Sequence, residues 1–113
     1  MQAKQDVKKI IEELCGRVAP LFPQDQIEAI LFGSYARGDA ESGSDIDVLI
    51  LVGASRQDIS MQNWKVGDLA ADFLLEYGIV VSPIVENRDY FIKNVNVLPF
   101  YRNIAREGVS LGA

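Results

Sequence analysis

The sequence predicts a small α/β (α+β) domain, a mixed sheet of about three to four strands packed with helices. Three observations predict it. Apolar residues recur at helical spacing in two long stretches, residues 4–19 and 60–77. Short branched apolar runs, 27–32, 46–52 and 79–85, alternate with them. A length of 113 residues with 49% apolar composition makes one domain, residues 1–113, with enough core to need no disulfide or structural metal.

In residues 4–19, Val7, Ile10, Ile11, Leu14 and Val18 line one helical face, with Lys8, Lys9, Glu12 and Glu13 on the other. Cys15 borders the apolar stripe and reads as a small buried thiol. Pro20 and Pro23 end the helix. Ile27 to Phe32 is a strand that stops at Gly33-Ser34, and Tyr35 to Ser44 reads as a helical turn followed by a loop. Ile46 to Val52 is a second strand. Its run Val48-Leu49-Ile50-Leu51-Val52 lacks polar alternation, which predicts cover on both faces.

Residues 60–77 form the second long helix, with a main stripe of Val66, Leu69, Ala70, Phe73, Leu74 and Tyr77 and a polar arc of Lys65, Asp68, Asp72 and Glu76. Met61, Trp64, Ala71 and Leu75 fall on roughly the far side. Either they form a partner surface, or residues 60–65 are not helical and Trp64 folds into the core. Gly78 is a C-terminal stop. The third strand, 79–85, contains Pro83, which makes it an edge strand or bulges it. Asn87 can cap a short helix through Phe91. Pro99 and Gly108 frame a last helix.

Composition narrows the chemistry. With no histidine, a Ser-His-Asp triad, a Cys-His dyad and every His-containing metal site are excluded. One cysteine excludes an intrachain disulfide and a multi-Cys zinc site. A general base must be a carboxylate or a lysine, and a metal must be held by oxygen, which favours Mg2+ or Mn2+. Sixteen acids against eleven bases give a net charge of -5, which disfavours nucleic acid as an unaided partner. The amino-terminal residues lack an apolar leader core, and no apolar run approaches a membrane span. The expected compartment is the cytoplasm.

The stretch from Leu31 to Val48 carries the chemistry. Asp45 and Asp47 stand two apart at the mouth of a strand. The period of two puts both carboxylates on one face, roughly 6–7 Å apart. At an effective dielectric of 20 they repel by about 2–3 kcal/mol. Asp39 and Glu41 add negative charge nearby, and a divalent cation turns repulsion into coordination. Gly33-Ser34 follows a strand and opens a helical turn, where backbone N–H groups and the Ser34 hydroxyl can meet an anion. Arg37, one turn on, can fork onto phosphate oxygens. Together these describe a phosphate cradle facing a two-carboxylate metal site, suited to metal-assisted phosphoryl or nucleotidyl transfer.

Gly33-Ser34, ten intervening residues and Asp45-x-Asp47 resemble the signature of the nucleotidyltransferase superfamily related to DNA polymerase β. Within it the chain looks like the minimal nucleotidyltransferases, small proteins often paired with a helical HEPN partner. The tail from Pro99 to Gly108 is similar to that of such members. The resemblance implies that Asp45 and Asp47 are catalytic and hold Mg2+ or Mn2+. It implies too that Gly33, Ser34 and Arg37 bind the phosphates of ATP or another nucleoside triphosphate. An acceptor hydroxyl then attacks the α-phosphate and pyrophosphate leaves. Members commonly carry a third carboxylate on the next core strand. Here that position aligns with Ser82, while Glu86 shares its parity four residues later. Two readings follow. One is a transferase that moves AMP from ATP onto a hydroxyl acceptor, a partner protein in a toxin–antitoxin pair. The alternative is an antitoxin-like binding module, catalytically weak, that neutralises a HEPN-type partner by contact.

Overall fold

A computed structural model describes residues 4–23 and 26–112. Met1–Ala3, which begin the stretch read above as lacking a leader core, lie outside the described residues. The elements in chain order are α1 (Lys4–Val18), a 3-10 turn (Ala19–Leu21), β1 (Glu28–Phe32), α2 (Ser34–Arg37), β2 (Ile46–Val52), α3 (Arg56–Tyr77), β3 (Val81–Asn87), α4 (Arg88–Asn94), α5 (Pro99–Glu107) and β4 (Val109–Gly112). The four strands form one mixed sheet in the order β3-β2-β1-β4. β1 is antiparallel to β2 and to β4, whereas β2 and β3 run parallel. A parallel pair needs a crossover, which the 22-residue α3 provides.

β2 is the centre of the core, as its unbroken apolar run predicts. Ile46, Val48, Ile50 and Val52 pack against Val7, Ile11, Leu14 and Val18 of α1 and Ile59, Val66 and Phe73 of α3. Leu49 and Leu51, on the other face, pack with Phe91 of α4 and Tyr101 and Ile104 of α5. Cys15 is a buried free thiol whose burial pushes its pKa up. Pro83 sits in the edge strand, opposite Val48, with no shift of register. Among the described residues, no helix is long and apolar enough to cross a membrane.

Several boundaries differ from the sequence expectation. α3 begins at Arg56, because the Ser55 hydroxyl caps it by accepting the Asp58 N–H at 3.1 Å. The apolar stripe, which starts only at Ile59, hides that cap. Residues 60–65 are therefore helical, and Trp64 is 65% exposed, not folded into the core. Leu74 and Tyr77, assigned to the inner stripe, are exposed as well. The third strand spans 81–87 in place of 79–85, and the helix after it runs on to Asn94. β4 was not foreseen: its four residues hold only two apolar side chains, too few to set a period.

The shift in β3 decides the role of Glu86. It pairs with Leu51, at the opposite end of the strand from the Asp47–Ser82 pair. Only 5% exposed, its carboxylate accepts the Tyr101 hydroxyl, Arg56 Nε at 3.1 Å and its own neighbour's N–H, that of Asn87, at 2.8 Å. The Arg56 guanidinium lies 3.7 Å from the Tyr90 ring centroid. Glu86 is thus a neutralised structural acid that ties β3 to α3 and α5, and it does not serve as the third acid of the site. Burial and the Glu86 carboxylate raise the Tyr101 pKa, so the phenol stays a donor. Tyr101→Phe removes a buried hydrogen bond to a charged group and is expected to cost about 1.5–3 kcal/mol in urea unfolding. A change within about 0.5 kcal/mol, the range of an ordinary surface substitution, would show the bond to be dispensable.

Candidate active site

Antiparallel pairing of β1 and β2 sets the end of one strand against the start of the other, with Phe32 opposite Asp47. The chain leaves β1 through Gly33, whose φ of 76° and ψ of -155° fall where residues with a side chain rarely go. Space forbids a side chain too. A Cβ at position 33 would overlap Asp47 Oδ2 and lie 3.2 Å from its Cγ. The glycine thus brings the backbone of the turn against the carboxylate. α2 starts immediately after it, with the Ala36 and Arg37 N–H groups both bonded to the Gly33 carbonyl at 3.1 and 3.0 Å. Gly38, at φ 86°, ends that turn.

The second acid approaches from the same side. Asp45 lies exposed just ahead of β2, and the Ser82 hydroxyl donates to its Oδ2 at 3.5 Å. Ser82 is also the register partner of Asp47. Asp45, Asp47 and Ser82 therefore converge at one end of the β2–β3 pair. The Asp47 pKa is raised, chiefly by burial and secondly by the charge of Asp45, while Arg37 pulls it down. The two carboxylates are thus held together with their repulsion only partly compensated. Among the described residues, no cluster of three or more acids or thiols is placed to hold a metal. The side chains gathered at this end are two carboxylates with a hydroxyl beside them.

Ser34 opens α2 next to the Gly33–Asp47 contact, half-buried. Arg37 lies at the other end of the same turn, where Nε donates to Asp39 Oδ2 at 3.3 Å and Nη1 to Glu107 Oε1 at 3.3 Å. The Gly33 N–H donates to that same Glu107 oxygen, also at 3.3 Å. Sequence reading missed Glu107, because what brings it here is the unforeseen β4. The remaining signal was Gly108, which the sequence offered only as a helix end.

A mixed sheet with an acid pair at the start of an inner strand, set against a glycine turn on the neighbouring strand, defines a nucleotidyltransferase class of domain. The family model for the nucleotidyltransferase domain matches residues 7–105, and the chain belongs to that family. Over 101 residues it is 41% identical to a "putative protein adenylyltransferase" of Methanocaldococcus jannaschii, a match covering 89% of this chain and 93% of that protein. Among solved structures, a "putative nucleotidyltransferase" from Sulfolobus solfataricus shares the fold with a TM-score of 0.61 at 23% identity, covering 95% of this chain and 80% of that one. A toxin–antitoxin structure with AMP-PNP shares it with a TM-score of 0.59 at 21% identity, covering 94% and 73%.

Two predictions follow from the geometry. Gly33→Ala meets both a backbone conformation essentially restricted to glycine, costing about 1–3 kcal/mol, and an overlap with Asp47, costing about 1–3 kcal/mol more. Gly38→Ala lies in the milder left-handed region with open space around it, so it is expected to cost only about 1–2 kcal/mol. Equal losses in denaturant unfolding would contradict the contact. The second concerns pH. The folded protein binds the Asp47 proton more tightly than the unfolded chain does. The associated stability is present below the ordinary carboxylate range and lost as pH rises through the raised folded value. Asp47→Asn cannot ionise, so in EDTA it should melt higher than the wild type at pH 7. The gain should vanish below about pH 4, where both states of the wild type are protonated. A lower melting temperature at pH 7 would mean that the carboxylate is stabilising in its own right.

Proposed function

We propose that the protein transfers a nucleoside monophosphate, AMP from ATP, to a hydroxyl of a partner protein, with Asp45 and Asp47 as the metal-holding acids. The observation that carries this is the pressing of the Gly33 turn onto Asp47 Oδ2, which sets the backbone that opens α2 beside an acid pair. The residues fit Mg2+ or Mn2+: two carboxylates with a hydroxyl beside them are hard oxygen donors. When bound, such an ion neutralises the acids and draws charge from the phosphates.

The chain's own groups do the rest. The Ser34 hydroxyl donates to a phosphate oxygen, and the Arg37 guanidinium provides positive charge one turn further on. The acceptor oxygen forms its bond to the α-phosphorus while the bond to the bridging oxygen breaks. Pyrophosphate leaves and the acceptor proton passes to water. Support for a protein acceptor comes from the adenylyltransferase name of the relative. Further support comes from the outer side of α3, where Met61, Trp64 and Leu75 are exposed, which suits a helical HEPN-type partner. An ATP-using enzyme of this kind belongs in the cytoplasm.

Ser82 favours a second reading. Where a third carboxylate would help to ionise the acceptor, this chain offers a hydroxyl bonded to Asp45, and Glu86 is engaged elsewhere. A slow site of this kind suits a binding module that neutralises its partner by contact. The two readings separate on label transfer. With α-labelled ATP and the co-purified partner, label should move to the partner in millimolar magnesium, and Asp45→Asn or Asp47→Asn should cut the rate by more than about 100-fold. Ser82→Asp should raise it by roughly tenfold or more, part of what a positioned base gives. A partner that is bound and silenced with no label on it would establish the binding module instead.

A further inference from the structure

Glu107 is the last residue of α5, and Gly108 turns the chain directly into β4. No other residue fits that corner. A Cβ at 108 would overlap the Ile104 carbonyl oxygen and Ile30 Cγ2, while the Gly108 N–H bonds the Ile104 carbonyl at 2.7 Å. On the far side of the corner, Val109 pairs with Leu31 in antiparallel register. Two residues back from Val109 and two on from Leu31 bring Glu107 opposite Gly33. Both ends of the Glu107 backbone are therefore held, one by the last helical turn and one by the sheet. Its single oxygen Oε1 receives both the Gly33 N–H and Arg37 Nη1, each at 3.3 Å.

We infer that Glu107 is a positioning residue for nucleotide binding: it fixes the Gly33 turn against Asp47 and holds the Arg37 guanidinium beside the phosphates. The inference rests on the nucleotide reading above and adds to it a residue that touches no substrate. Arg37 is anchored between two acids on separate elements, Asp39 in its own loop and Glu107 on α5. A long exposed side chain held from both sides loses less freedom when a phosphate arrives. The Gly33 N–H, which points to the Glu107 side chain, is satisfied within the protein, so the turn keeps its shape without ligand.

The sign of one substitution discriminates. Glu107→Leu removes the negative charge next to a bound triphosphate, which by itself tightens binding, together with the oxygen that accepts from Gly33 and Arg37. Weaker binding then comes from lost positioning. We expect Glu107→Leu to raise the Kd for magnesium-ATP, measured by calorimetry well below the melting temperature, by about tenfold. Glu107→Asp keeps the charge but shortens the arm, and should weaken binding too. In an Arg37→Ala background the effect of Glu107→Leu should shrink to under about threefold, since part of it acts through that arginine. Hydrogen exchange at the Gly33 amide should speed up in the nucleotide-free variant. Wild-type binding with variants that bind equally or more tightly would overturn the inference alone and mark Glu107 as a passive or competing anion. A wild type that does not bind magnesium-ATP at all would overturn the nucleotide reading and this inference with it.

Discussion

Asp47 can occupy its place only because position 33 carries no side chain. The contact constrains three things at once. It requires a residue that tolerates a φ of 76°, it fixes the angle at which α2 leaves β1, and it demands that β1 and β2 pair with Phe32 opposite Asp47. A slip of one residue in that pairing would send Asp47 to the face packed by α1 and α3 and put a core side chain in its place. The apolar content of β2, buried from Val48 to Val52, holds the register from the other direction. The burial that drives folding and the geometry that serves chemistry therefore depend on the same strand pair.

The two ends of β3 show opposite treatments of a carboxylate. At one end Glu86 is buried and fully answered by Tyr101, Arg56 and a backbone N–H, which makes it part of the scaffold. At the other, Asp47 shares its surroundings with Asp45, and Arg37 offsets their repulsion only in part. A protein that wanted only stability would treat both ends as it treats the first. The difference marks the Asp45–Asp47 end as the place where the chain itself leaves the charge only partly balanced.

Much of this was legible in the residues. The Gly33-Ser34 turn and the Asp45-x-Asp47 pair are local patterns, and the period of two that puts Asp47 on the Ser82 side of the sheet is a property of any strand. The unbroken run in β2 announced its double burial, and Pro83 announced an edge. What was not legible depends on pairing between distant segments. β4 is too short and too polar to identify itself, so its register with β1, and with it the place of Glu107, appear only in three dimensions. The start of α3 was hidden because a cap, not an apolar stripe, sets it. Exposure of Leu74 and Tyr77 shows a stripe wider than the surface available to cover it.

Crystals grown with Mn2+ and a non-hydrolysable ATP analogue test most directly the proposal that Asp45 and Asp47 hold the cation. Anomalous scattering from manganese should place the ion between the two carboxylates, with the triphosphate reaching from it toward Ser34. Manganese bound elsewhere on the molecule, or a triphosphate seated away from the Gly33 turn with the acid pair bare, would contradict it.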